Sequence, residues 1–398
     1  MVVITIIIVA LCRLMLRFGE ITLRNGMGRA GSLIVLGTVL SAVVSISGAG
    51  ETGLLERYRG DRAGWPAPEL DAGVAYLPLQ PLPARPPYPA DNPDAPAKRE
   101  LGRLLFFDPR LSAAGDVACA SCHDPDLGWS DGRRKSLGHK DQEGDLNAPT
   151  VVNSGYLDEL FWDGRAHSLE EQALASWTNP VEMAADPVAA TARLAAVPGY
   201  PARFRAAFGD ARLSPERIQR AIATYMRSVT MADTPYDRFL RGERDALSDA
   251  QVRGLHLFRT RARCMNCHNG ALLSDGKYHH LGSSFYAVGN FQGRYALSHR
   301  AEDVGAFRTA PLRGVTETGP WTSAGLIDDL DDLLTIYNMG WWQNAPLDEK
   351  IDGIPFSTLS PHIKPLNLEP EELADLRAFL ESLTGTMPDA PPLELPGR

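Results

Sequence analysis

Two short stretches restrict this chain more than anything else in it: Cys119-Ala120-Ser121-Cys122-His123 and Cys264-Met265-Asn266-Cys267-His268. In each, two thiols three positions apart are followed at once by a histidine. That spacing suits one porphyrin, because the thiols reach its two vinyl groups while the histidine coordinates its iron from one face. A structural zinc site needs four ligands closing on one metal, and neither stretch has a second cysteine pair beside it. A thiol–disulfide exchange motif usually lacks the adjoining histidine and follows a strand. The chain is therefore expected to carry two covalently bound haem c groups, attached at Cys119, Cys122, Cys264 and Cys267, with His123 and His268 as proximal iron ligands.

The surroundings of the two motifs echo each other. Leu104 to Phe107 precedes the first and Asp131-Gly132 follows it; Leu255 to Phe258 and Asp275-Gly276 do the same for the second. Helical signals dominate after residue 98. Ser168-Leu169-Glu170-Glu171 reads as a capping box. Ser214-Pro215-Glu216 opens a helix with Ile218, Ile222, Tyr225, Met226 and Val229 on one face. Pro370 starts another, with Leu373, Leu376, Phe379, Leu380 and Leu383 in one stripe and Gly385 as its stop. The expected fold is mainly α with few short strands, in two cytochrome-c-like haem domains over 99–245 and 246–386, joined near Gly242 to Asp249. A tail covers 387–398. Residues 50–98 hold eight prolines between Pro66 and Pro89 and read as an extended tether or wrap with little helix.

A chain of 398 residues supports two such units, and its net charge of −9 disfavours nucleic acid as a partner. The N-terminus reads as a secretory signal: Arg29, then apolar Leu33 to Val44, then Ser47-Gly48-Ala49 as a cleavage site. A retained anchor over 1–49 is the competing reading. Both put the body of the protein in the periplasm and leave the fifth cysteine, Cys12, in the leader.

On these residues the chain resembles the bacterial dihaem cytochrome c peroxidases and the related MauG proteins, over about 90–386. The matching stretches are Asp91-Asn92-Pro93, Leu101 to Ser112, both haem-binding motifs, Asn147 to Thr150, Phe161 to Ala166, Ser168 to Ala173, and Asn179-Pro180-Val181-Glu182-Met183. The resemblance implies reduction of hydrogen peroxide at the N-terminal haem, fed by the C-terminal haem with electrons from a small cytochrome c or cupredoxin. It makes Glu182 the distal acid, Gln172 a distal glutamine, and Trp162 the aromatic ring between the haems. Asn147, with backbone oxygens of Thr318 and Pro320, matches an inter-haem calcium site, and the likeness carries a homodimer with it.

Two features divide the family. His139 stands where the peroxidases keep a histidine that caps the N-terminal haem in the resting state. On the C-terminal side, Leu330, Leu333, Leu334 and Tyr337 share a helical stripe with Tyr337 central, while Met339 points roughly the other way. Either Tyr337 or Met339 is the second distal ligand, and a tyrosine there is the MauG-like choice, implying peroxide-dependent oxidation of a protein substrate. The usual His-Asp-Gly is replaced by Ser323-Ala324-Gly325. A plain two-haem electron carrier is the third reading. His167, His256, His299 and His362 lack ligand spacing, His279-His280 reads as a solvated loop pair, and Trp321, Trp341 and Trp342 read as packing.

Overall fold

The computed structural model describes residues 53–282, 292–341, 350–351, 353–356, 359–391 and 393–397. The expected leader, Cys12 and Trp342 lie outside them. The chain divides into two compact units, one ending at Tyr58, which is helical from residue 53, and one running from Arg59. Everything below concerns the second.

Its main helices are α1 (Pro96–Phe106), α2 (Leu169–Thr178), α3 (Pro187–Ala195), α4 (Tyr200–Phe208), α5 (Pro215–Ser228), α6 (Pro235–Leu240), α7 (Asp249–Arg259), α8 (Leu330–Met339) and α9 (Pro370–Glu381). Proline opens α1, α3, α5, α6 and α9, where its missing N–H costs nothing and its fixed φ favours the helix. Strands are few and two residues long. Tyr278–His279 (β1) pairs antiparallel with Phe307–Arg308 (β2), and Lys350–Ile351 (β3) with Ile354–Pro355 (β4). The protein is thus mainly helical, as expected.

Two helix pairs repeat one design. α1 packs on α5, and a Cβ on Gly102 would lie 1.9 Å from the Ala221 carbonyl oxygen and 2.8 Å from Tyr225 Cβ. α7 packs on α9, and a Cβ on Gly254 would lie 1.9 Å from Asp375 O and 2.7 Å from Phe379 Cβ. Four residues after each glycine comes a buried phenylalanine. Phe106 meets Tyr225 with centroids 5.5 Å apart, and Phe258 meets Phe379 at 5.0 Å. The repeat is therefore Gly-x-x-x-Phe, pairing Phe106 with Phe258, one residue off the Leu104/Leu255 alignment that the motif's letters propose. Each buried ring contributes about 1.5–3 kcal/mol, and the missing Cβ lets the backbones approach closely enough to bury it.

Other expectations need small corrections. Ser168 caps α2 by accepting from Glu171 N, but Glu171 Oε2 reaches back to His167 N, one residue short of a closed capping box. α9 ends at Glu381, with Ser382 as its cap, before Gly385. Of the tether and wrap readings, the proline-rich segment takes the wrap: Glu69 N donates to Arg259 O at the end of α7, and further on the segment lies against α6 and the stretch after the second motif. Leu79 and Leu82 are buried, Leu82 N donates to Asp237 Oδ1 at 3.0 Å, and Gly270 N donates to Leu77 O. Residues 387–397 return to the first core, where Met387, Ala390, Leu393 and Leu395 pack and Pro388 O receives Trp129 Nε1.

Candidate active site

The haem-binding motifs take one shape. Cys119–Ser121 and Cys264–Asn266 each form a single 3-10 turn, so the following histidine N–H donates back to the first cysteine: His123 N to Cys119 O at 3.1 Å, His268 N to Cys264 O at 2.8 Å. His123 Nδ1 lies 3.2 Å from Trp129 O and His268 Nδ1 2.9 Å from Leu273 O. A carbonyl only accepts, so Nδ1 carries the proton and Nε2 keeps its lone pair for a metal. Both carbonyls belong to fully buried residues in the left-handed region, Trp129 at φ 61° and Leu273 at φ 56°. Such backbone is costly for a large side chain and persists only where its surroundings hold it. After each comes Ser-Asp-Gly: Ser130 Oγ donates to Ala148 O, Ser274 Oγ to Thr309 O, and Asp131 and Asp275 each accept a backbone N–H two residues on.

These residues fit a haem better than exchange chemistry. All four cysteines and both histidines are partly accessible as residues, yet surrounding protein desolvates their titratable groups. Burial pushes Cys119 up to about 12, Cys122 to about 11 and Cys264 to about 12, and drives Cys267 up further. Burial also pulls His123 and His268 below the usual imidazole value, so both rings are neutral ligands. Thiols raised this far are poor nucleophiles.

Around the first motif, Glu182 lies near enough for its charge to act on Cys119, Cys122 and His123. Asn179 Nδ2 donates to Glu182 Oε1 at 2.7 Å, and Oε2 has no hydrogen bond among the described residues. His139 N donates to both Val181 O and Glu182 O, and Gln142 Nε2 bridges His139 O and Pro180 O. The His139 loop and the Glu182 loop are therefore one unit, with His139 Nδ1 buried and unpartnered. Gln172 makes no hydrogen bond to Glu182 or His139 among the described residues; its amide donates to Ser176 Oγ at 3.0 Å along α2.

Between the motifs, Trp162 Nε1 donates to Asn147 O at 2.8 Å and Trp162 O accepts from Arg308 N at 2.8 Å. Trp162 thus joins a segment following the first motif to one following the second. Asn147 Nδ2 donates to Arg133 O, and its backbone N–H to Ser323 O at 2.9 Å, which brings Asn147 against Ser323. On the second side, α8 turns Tyr337 toward the pair formed by Cys264 and Cys267; burial, then those two thiols, raise its phenol above the usual value. Met339 on the same helix is 59% exposed.

A family model described as di-haem cytochrome c peroxidase matches residues 96–245. The cytochrome-c peroxidase IdrP1 of Pseudomonas sp. (strain SCT) is 36% identical over 344 residues, covering 79% of this chain and 87% of that protein. The chain belongs to the di-haem cytochrome c peroxidase family. The methylamine utilization protein MauG of Methylophilus methylotrophus is also 36% identical, over 301 residues, covering 75% of this chain and 86% of that one, so overall identity does not separate the two branches. A crystal structure of a MauG-like protein associated with microbial copper homeostasis superposes with TM-score 0.68 at 31% identity, covering 79% of this chain and 96% of that chain. The haem-binding character of the chain follows from this membership.

Within this family frame, several residues near the second motif escaped the sequence reading. His279 is no solvated loop residue: its side chain is 13% exposed, and Nε2 lies 2.9 Å from Asp275 Oδ2, close to Cys267. Asp71 of the proline-rich wrap holds Arg263 and His362 and donates its amide to Asn266 Oδ1. Arg308, 6% exposed, gives Nε to Phe161 O. The repeated Ser-Asp-Gly was a usable signal for Asp275; the others depend on partners far away in sequence.

Proposed function

We propose that this chain reduces hydrogen peroxide to water at the haem held by Cys119, Cys122 and His123, drawing electrons through the haem held by Cys264, Cys267 and His268 from a small periplasmic cytochrome c or cupredoxin. The observation that carries the reading is Glu182, a carboxylate with one oxygen anchored and the other free, within electrostatic reach of the first motif. When bound, each haem supplies an iron that exchanges single electrons. Glu182 Oε2 takes a proton from one peroxide oxygen and returns it to the other as water leaves, while Asn179 keeps Oε1 from turning away. His139 closes this site in the resting protein and withdraws with its loop. Trp162 shortens the path between the two motifs. Tyr337 would supply the second haem with an oxygen ligand.

Calcium is part of the same reading. Asn147 commits Nδ2 to Arg133 and keeps Oδ1 as a hard acceptor; the family resemblance adds the carbonyls of Thr318 and Pro320, a donor type that suits this ion. The periplasmic assignment rests on the Leu33–Val44 segment and Ser47-Gly48-Ala49.

A second reading, peroxide-driven oxidation of a protein side chain in the MauG manner, is favoured by Tyr337 and by Ser323-Ala324-Gly325. The test is to add hydrogen peroxide to the two-haem protein, once fully oxidised and once reduced by one electron, and to follow the absorption of both haems. Reaction confined to the half-reduced form supports the gated peroxidase. Immediate reaction of the oxidised form, with both haems changing, supports the MauG-like activity. No response in either form leaves an electron carrier.

A further inference from the structure

Tyr278, the first residue of β1, reaches a partner in a distant segment. Its hydroxyl donates to Glu159 Oε2. Arg294 sits over the ring with Cζ 4.4 Å from the centroid, gives Nη1 to Tyr278 Oη at 3.3 Å, and pairs with Glu159 Oε1 at 3.5 Å. The Phe161–Arg165 turn is shaped around this group. A Cβ on Gly164, at φ +76°, would stand 1.6 Å from Tyr278 Oη, and Arg294 Nη1 ties down Asp163 O and Gly164 O. Trp162 lies in the same turn. Tyr278 pairs across the ladder with Arg308, whose amide donates to Trp162 O, so the phenol stands against Gly164, two residues from Trp162, and the strand that pairs with Tyr278 also holds the Trp162 backbone.

An oxidising equivalent reaching this turn finds two rings with different partners. Trp162 Nε1 donates to the Asn147 carbonyl, which is far too weak a base to accept a proton. The Tyr278 hydroxyl faces a carboxylate. Burial, then the Glu159 contact, raises the Tyr278 phenol above its usual value, so at neutral pH it is protonated and has a hydrogen to give. The guanidiniums of Arg294 and Arg308 oppose positive charge on the ring, so the electron leaves only if the proton leaves too.

We propose that Tyr278 is a redox-active side chain that yields one electron to the peroxide-oxidised haem centre, by way of Trp162, while Glu159 receives its proton. The Tyr278 O–H bond breaks, the proton passes to Glu159 Oε2, and the oxidised centre gains one electron. Tyr278 is left a neutral phenoxyl radical and Glu159 a neutral acid. Tyr278 then holds the oxidising equivalent when no electron donor is at hand. The proposal rests on the peroxide-reducing reading above.

The test is freeze-quench electron paramagnetic resonance on the full chain, with two haems confirmed by mass and absorption, after one equivalent of hydrogen peroxide without electron donor. The expected result is a radical signal that narrows when tyrosine is ring-deuterated, vanishes in Tyr278→Phe and weakens in Glu159→Gln, with resting haem absorption unchanged in both variants. A tyrosyl signal of undiminished intensity in Tyr278→Phe overturns the proposal. So does the absence of a tyrosyl signal in the wild type while the haem bands respond to peroxide. Haem bands that do not respond overturn the peroxidase reading, and this one with it. Should Tyr278→Phe fail to load haem, a nitroso spin trap on the wild type decides: an adduct mapped to Tyr278 supports the assignment, and adducts confined to other residues overturn it.

Discussion

The amide N–H of His139 donates to the carbonyl of Glu182 at 2.8 Å, which fastens the loop of the first site's candidate gate to the loop of its candidate acid. Gly138 makes the fit close: a Cβ there would lie 2.1 Å from Val181 O and 2.8 Å from Glu182 Cα. A movement of the His139 loop would therefore carry the Glu182 backbone with it.

Glu182→Gln removes the proton carrier while leaving the shape nearly intact. Peroxide turnover should fall by about 10²- to 10⁴-fold, with resting haem absorption unchanged. Gly138→Ala should also lower turnover, by prising the two loops apart. Steady-state oxidation of a reduced cytochrome c measures both; wild-type rates in Glu182→Gln would remove the carboxylate from the mechanism.

Close approach at the repeated glycine supports each helix pair. In Gly102→Ala and Gly254→Ala the new methyl meets a backbone carbonyl oxygen at 1.9 Å, which the gain in helix propensity does not offset. Each should lose about 1–3 kcal/mol by overpacking. Gly64→Ala, with nothing within 4 Å of its Cβ, serves as the neutral control in chemical denaturation.

Arg313 and Asp237 form a fully buried ion pair at 2.8 Å, with Asp237 also accepting from Leu82 N and Arg313 donating to Ala271 O and Gln80 O. The pair clasps the proline-rich wrap to the helical core. Arg313→Met leaves the carboxylate buried without its cation and should cost about 3–5 kcal/mol. Limited proteolysis should then cut first within residues 66–90.

What was legible in the sequence is what short-range chemistry dictates. Cys119 to His123 and Cys264 to His268 announce their cofactor because three side chains must meet one porphyrin, and Ser214, Pro215 and Pro370 announce helix starts because capping is local. The partners of Tyr278, Asp71 and Arg313 lie in segments that only the tertiary fold brings near: Glu159 is 119 positions from Tyr278, and His362 is 291 from Asp71. No periodicity reports such pairings. Gln172 is reached only through a family match, and its amide bonds Ser176 one turn along its own helix.

Two carboxylates, Asp108 fully buried and Glu170 partly, should contribute to the pH dependence of stability in acid. Burial would raise Asp108, but hydrogen bonds from Arg110 and Tyr200 outweigh it and hold the carboxyl below the usual value. Burial likewise opposes, and Arg227 and Asn92 overcome, the shift at Glu170, which is also lowered. With folded values depressed, these groups contribute stability that is complete above the unfolded carboxylate range, about 3.9 to 4.3, and is lost as pH falls through the folded values. Denaturation midpoints should therefore drop steeply below pH ~4, and Asp108→Asn should flatten that slope while lowering stability at pH 7. An unchanged slope would assign the acid transition to other groups.

Tyr337 and Met339 stand two residues apart on α8 and face different surroundings, one toward Cys264 and Cys267, the other 59% exposed. An oxygen ligand stabilises the ferric state and a thioether the ferrous state. Tyr337→Met should therefore raise the reduction potential of one haem and leave the other where it was, as read by spectroelectrochemical titration. Met339→Leu should move neither. The reverse pattern, with Met339→Leu shifting a potential and Tyr337→Met shifting none, would require the last turn of α8 to unwind before Gly340 in the haem-loaded protein. That outcome would favour the gated peroxidase over the MauG-like reading, because a thioether-ligated second haem releases electrons to its partner, whereas a tyrosine-ligated one is suited to holding an oxidising equivalent.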